Sequence, residues 1–149
     1  MKLLHLSVML ATTGAIVSAA AIPAQKIPLT RTNRNCDGSR ASTELTEQFG
    51  FANLVKPASG KVVAAVVLQG ATPSATYMVR LIQAPTPAPC FNIPSATFIT
   101  DSSGNGNANF QQPVEPSATA AFVALNNLAN PANDFFTTDP NKFPLSPPA

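Results

Sequence analysis

The side chains able to do chemistry in this chain are few: one histidine, His5, two cysteines, Cys36 and Cys90, and seven acids, Asp37, Glu44, Glu47, Asp101, Glu115, Asp134 and Asp139. Histidine is the usual acid–base group near neutral pH and the commonest nitrogen ligand for metals. His5, however, falls in a stretch that reads as a secretory leader. Lys2 supplies a positive start, residues 3–17 an apolar core, and Ser18, Ala19, Ala20 and Ala21 the small residues at a cleavage point. Cleavage after Ala20 or Ala21 leaves a mature chain without histidine, which removes Ser-His-Asp and Cys-His nucleophile systems and histidine metal sites together. Carboxylates are the remaining catalytic equipment. A glycoside hydrolase would need two of them facing each other across one cleft. No spacing singles out such a pair, and each acid reads as isolated and solvated, so no catalytic residue is expected.

In an extracellular chain two cysteines have one intramolecular pairing, so a Cys36–Cys90 disulfide is expected, worth about 4 kcal/mol by the chain-entropy argument for a loop of this length. The turn DSSGNGN places Asp101, Ser103 and Asn105 on alternate positions, as calcium loops do. Gln112 stands where such a loop needs a bidentate glutamate, so the stretch reads as a plain turn, and no metal or cofactor is expected. Charged residues make up 11% of the chain, and its formal net charge of +2 falls by one with Lys2. A basic nucleic-acid-binding face is therefore not expected. Lys26, Arg31, Arg34 and Arg40, set beside Pro23 and Pro28, read as a solvated arm. No run after the leader reaches the roughly 20 apolar residues of a membrane span, so no membrane anchor is expected.

The elements that must position these residues read as strands. Residues 62–68 form a β-branched run, and 76–82 alternate, with Tyr77, Val79 and Leu81 on one face and Thr76, Met78, Arg80 and Ile82 on the other. Gly70 and Pro73 break the two runs apart. Further strands are expected over 51–56, 96–100, 107–112, 119–125 and 134–138, with 119–125 apolar on both faces and therefore central. Asn105-Gly106 predicts a hairpin joining 96–100 to 107–112. Leu45 and Phe49 permit a turn or two of helix over 41–49. Prolines at 85, 87 and 89 predict an extended edge, with Cys90 tying it to the N-terminal segment. Residues 1–20 read as leader, 21–50 as an arm, 51–139 as an antiparallel β-sandwich of about seven strands, and 140–149 as a proline-rich tail.

The spacing Pro73-x-x-x-Tyr77, after Leu68 and before Val79, resembles the tyrosine corner of immunoglobulin-like and fibronectin-type sandwiches. The resemblance implies that the Tyr77 hydroxyl bonds back to the backbone upstream. In fibronectin-type domains the corner lies near the end, whereas here about 70 residues follow it, so a different strand order is implied. More widely, 54–139 is similar to small secreted sandwich proteins of microbes, with the same strand-turn-TY-strand and GNGNA phrasing. That likeness carries over no functional residues.

Strands alternating in direction would bring the connections 70–75, 101–106 and 126–133 to one end. There Ser74, Ser102, Ser103, Asn105, Asn126, Asn127, Asn130 and Asn133 would form recognition loops of small hydrogen-bonding groups. The function expected is that of a secreted, effector-like, non-catalytic protein whose partner is an extracellular host protein or a cell-wall polymer. A structural wall or matrix protein and a carboxylate-dependent hydrolase are the alternatives.

Overall fold

A computed structural model describes residues 20–86, 89–90 and 93–145. The leader expected over 1–20 lies outside these residues except for Ala20, as do residues 87 and 88 of the proline-rich stretch. Eight strands are present: β1 (Ile22–Pro28), β2 (Gly50–Lys56), β3 (Lys61–Leu68), β4 (Thr76–Ala84), β5 (Ser95–Ile99), β6 (Gly106–Pro113), β7 (Ala120–Asn127) and β8 (Phe135–Thr137). They form two four-stranded antiparallel sheets, β1-β2-β3-β6 and β5-β4-β7-β8, packed as a sandwich.

Period-two alternation aims the strands. On β3, Val62, Ala64, Val66 and Leu68 are buried, and on β4 Tyr77, Val79 and Leu81 meet them from the opposite sheet. β3 pairs with β6 from Lys61↔Pro113 to Leu68↔Gly106, and β4 pairs with β7 from Tyr77↔Asn127 to Ala84↔Ala120. As 119–125 implied, β7 is an interior strand. Thr30 and Thr137 exchange both backbone hydrogen bonds, at 3.0 and 2.8 Å, and so stitch the two sheets along one side.

Four expectations are corrected. Residues 22–28 are an edge strand of the sandwich, not a free arm. Proline is tolerated there because an edge leaves half its amides unused, and Ile27 is buried in the core. No helix forms over 41–49: Thr32 Oγ1 accepts from the Leu45 amide at 3.1 Å, and the Phe49 amide donates to the Leu29 carbonyl at 2.8 Å, which holds the segment extended. Residues 140–145 are not a tail. Pro140–Lys142 make a single 3-10 turn capped by Asp139, Phe143 is fully buried, and its carbonyl accepts from the Ala121 amide at 3.1 Å. Finally, β5 and β6 are not hairpin partners: β5 pairs with β4, β6 pairs with β3, and 100–105 cross between the sheets. Gly104, at φ +77°, makes that crossing, because a Cβ there would lie 1.9 Å from the Ala71 carbonyl oxygen.

Candidate functional site

The three connections expected at one end do meet there. Gly70 N–H donates to Asn105 Oδ1 at 3.0 Å, Ala71 N–H to the Gly104 carbonyl at 3.0 Å, and Leu128 N–H to the Thr76 carbonyl at 2.9 Å. Beneath them lies Asp134, which the sequence reading took for a solvated acid and which is in fact buried. Its Oδ2 accepts from Tyr77 OH at 2.7 Å, Thr72 Oγ1 at 2.7 Å and Asn127 Nδ2 at 2.9 Å, and its Oδ1 from Arg31 Nη1 at 3.2 Å. Tyr77 OH also accepts the Thr72 amide at 3.3 Å, so the Pro73-x-x-x-Tyr77 corner does bond to backbone upstream while donating to a carboxylate from another strand pair. Burial alone would raise the Asp134 pKa; the donors Asn127, Tyr77 and Thr72 and the charge of Arg31 outweigh it and hold the carboxyl below its ordinary range. The same burial and the bond to Asp134 push the Tyr77 hydroxyl up.

Arg31 is likewise no part of a solvated arm: its guanidinium lies over the Phe49 and Phe136 rings, 4.9 and 4.6 Å from their centroids. Most of the loop asparagines are occupied. Asn127 is buried, Asn126 Oδ1 accepts from Arg80 and its Nδ2 donates to the Pro131 carbonyl, and Asn130 Oδ1 accepts from Asn133 Nδ2. Ser74, Ser102, Ser103, Asn105, Asn130 and Asn133 are exposed.

The outer face of the β5-β4-β7-β8 sheet is a different kind of surface. Ile82 and Ala84 of β4 and Phe122 and Ala124 of β7 form a second apolar cluster, remote from the main core. A small hairpin lies over it: Asn35 N–H donates to the Ser39 carbonyl at 2.9 Å, Gly38 turns at φ +88°, and Asp37 Oδ1 accepts from Ser39 N–H and Oγ. Cys36 on this hairpin is disulfide-bonded to Cys90, so the expected bridge forms and ties the strap to the end of the proline-rich stretch. Asp37-Gly38 was the signal for this hairpin, and the sequence reading passed over it.

Between strap and sheet lies a cavity of about 560 Å³. Ile82, Phe122, Ala124 and Phe135 give it apolar walls; Arg34 and Arg80 are its charged groups, Asn33, Asn35, Asn126 and Thr137 add uncharged polar ones, and the exposed Ala132 lies at its mouth. Arg80 is 4% exposed, its Nη1 donating to the Cys90 carbonyl at 2.9 Å and its Nη2 to Asn126 Oδ1 at 2.7 Å. The Arg34 side chain is also 4% exposed, with its Nη2 3.6 Å from Asp139 Oδ1. Burial lowers the pKa of both guanidinium groups, opposed at Arg34 by Asp139 and Glu44. The sequence placed Arg80 only on one face of its strand and gave Arg34 to a solvated arm, which the structure corrects: the Arg34 side chain is buried. The available signal was parity: β4 and β7 carry Ile82 and Phe122 outward, and an apolar outer face needs a cover.

Of the remaining acids, Asp37, Glu44 and Asp139 line one open cleft of about 520 Å³ together with Arg34 and Arg40, and each already has a partner there, Asp37 in Ser39, Glu44 in Arg40 and Asp139 in Arg34. Asp101 Oδ1 accepts from Ser103 and Asn105 N–H, both at 2.9 Å, so the calcium-like spacing is a hydrogen-bonded turn. Asp139 caps the 3-10 turn, Glu44 pairs with Arg40 at 3.1 Å, and Glu47 and Glu115 are exposed. Among the described residues no group of three or more His, Cys, Asp or Glu is placed to hold a metal ion, and no helix is long and apolar enough to cross a membrane. No protein-family model, no curated protein and no solved structure matches the chain.

Proposed function

We propose that this is a secreted, non-catalytic β-sandwich that binds a host or cell-surface component in an effector-like role, a reading supported by a small, disulfide-stapled scaffold. The cavity under the disulfide-tied strap carries this reading, since an apolar-walled hollow with a few convergent polar groups is the usual form of a small-ligand site. The disulfide, of a kind that persists in oxidising compartments, supports the extracellular setting. The employment of Asp37, Asp101, Asp134 and Asp139 in turns, caps and the buried network supports binding over hydrolysis.

A second reading, recognition by the loop end, draws on the exposed Ser74, Ser102, Ser103, Asn130 and Asn133 gathered there. One experiment separates them. The oxidised protein and Ala132→Trp, which plugs the cavity mouth, are incubated with host extracellular extract and with insoluble chitin, cellulose and β-glucan; retention is scored by pull-down and small-molecule adducts by native mass spectrometry. Capture lost in Ala132→Trp supports the cavity. Capture equal in both variants overturns it, and in a further arm with the producer's own wall material, retention regardless of the plug would make this a wall protein.

A further inference from the structure

The ligand class of this cavity can be read from its walls, on the premise that the cavity is the binding site. We infer that it takes a small organic monocarboxylate, an aliphatic chain or single ring ending in one carboxylate, with the anion against Arg34 and Arg80 and the apolar body over Ile82 and Phe122. Three observations converge on that chemistry. Among the described residues lining the cavity two are arginines and none is acidic, so its fixed charge is cationic. Both arginines are buried, and Arg34 Nε is a buried donor with no hydrogen-bond partner among the described residues. Arg34 Nη1 donates to the Gly38 carbonyl at 3.2 Å and Nη2 faces Asp139, so the donor left for a carboxylate oxygen is the single Nε–H, in a low dielectric where such a pairing is stronger than in water.

The other walls exclude simpler anions. Ile82, Phe122, Ala124 and Phe135 would be left against the hydration shell of an inorganic ion, whereas an apolar body covers them. The volume, about 560 Å³, lies within the range typical of small-molecule sites. Asp139, 3.6 Å from Arg34, already offsets part of the positive charge, which suits a ligand with one negative charge better than a phosphomonoester with two. Burial, which lowers the pKa of both arginines, also means that an arriving anion relieves an existing desolvation cost.

Calorimetry on the oxidised, secreted protein tests this with matched pairs: decanoate against decanamide, 3-phenylpropionate against its amide, and decylamine as the opposite charge. Each carboxylate is expected to bind at least tenfold tighter than its amide, decylamine not to bind, and Ala132→Trp to abolish carboxylate binding. Arg34→Gln, checked by its melting temperature, should bring carboxylate and amide affinities together; Arg80→Met should do the same if it folds. Amides binding as tightly as carboxylates, with both lost in Ala132→Trp, would overturn the anion class while leaving the cavity as the binding site. Absence of binding by every probe would overturn the monocarboxylate inference, the cavity itself being judged separately by the capture experiment with extract.

Discussion

At the loop end, a buried carboxylate collects donors from Arg31, Thr72, Tyr77 and Asn127, and the asparagines around it bind one another and the backbone. On the outer face of the β5-β4-β7-β8 sheet, two buried arginines and a few uncharged polar residues border a hollow with a broad apolar wall. Both regions bury charge. In the first the charge is answered from within the chain, so the polar groups spend their hydrogen bonds on holding loops together. In the second the arginines are also held by the chain, Arg34 by Gly38 and Asp139 and Arg80 by Cys90 and Asn126, but they stand beside apolar surface around open space. Exposed loops rich in asparagine are thus poor evidence of recognition when their amides are already engaged, and a covered outer face can be the more informative surface.

The comparison can be broken in several places. Largest should be loss of the disulfide: Cys36→Ser with Cys90→Ser is expected to cost about 4 kcal/mol by loop-closure entropy. It should also release the strap, so chemical denaturation and probe binding should fall together; a strap that keeps its ligand without the bridge would contradict the role given to it. Next, Asp134→Ala orphans Tyr77, Thr72 and Asn127, for about 3 kcal/mol in urea unfolding. Its pKa is lowered in the fold, so Asp134 stabilises above the ordinary carboxylate value of 3.8 and the contribution is lost as pH falls through the lower native pKa. The acid limb of the stability curve should therefore flatten in Asp134→Ala, and an unchanged limb would show that the network is not what responds to acid.

The seven strands expected from 51 to 138 are all present, because alternation of apolar residues is a local signal and the sheets obey it. What the sequence hid was non-local. β1 was missed because Pro23 and Pro28 argue against a strand until a neighbour is known to leave it at an edge. Asn105-Gly106 signalled a turn but not a partner: β6 takes its register from β3, with Val66 opposite Ala108, and β5 goes to the other sheet. Asp134 lies 57 residues from Tyr77 and 103 from Arg31, separations at which no spacing rule operates. Phe143 was hidden by the prolines around it.

Smaller effects refine the contrast. Tyr77→Phe removes one donor from the Asp134 carboxylate and should cost about 1.5–2 kcal/mol, since hydrogen bonds to charged groups are worth more than neutral ones; a stability equal to the parent would mean that the corner is dispensable. Smallest is the triple change Ser74→Ala, Asn130→Ala and Asn133→Ala. These positions are exposed, so the melting temperature should move little, by the equivalent of under about 0.5 kcal/mol per site.

Ala132→Trp and that triple variant, titrated with decanoate beside the parent, give the most direct measurement of whether binding belongs to the outer face or to the loop end. The dissociation constant should be unchanged in the triple variant, and binding should be lost in Ala132→Trp, with melting temperatures of all three alike. Binding that survives the plugged mouth and disappears with the loop substitutions would contradict the account.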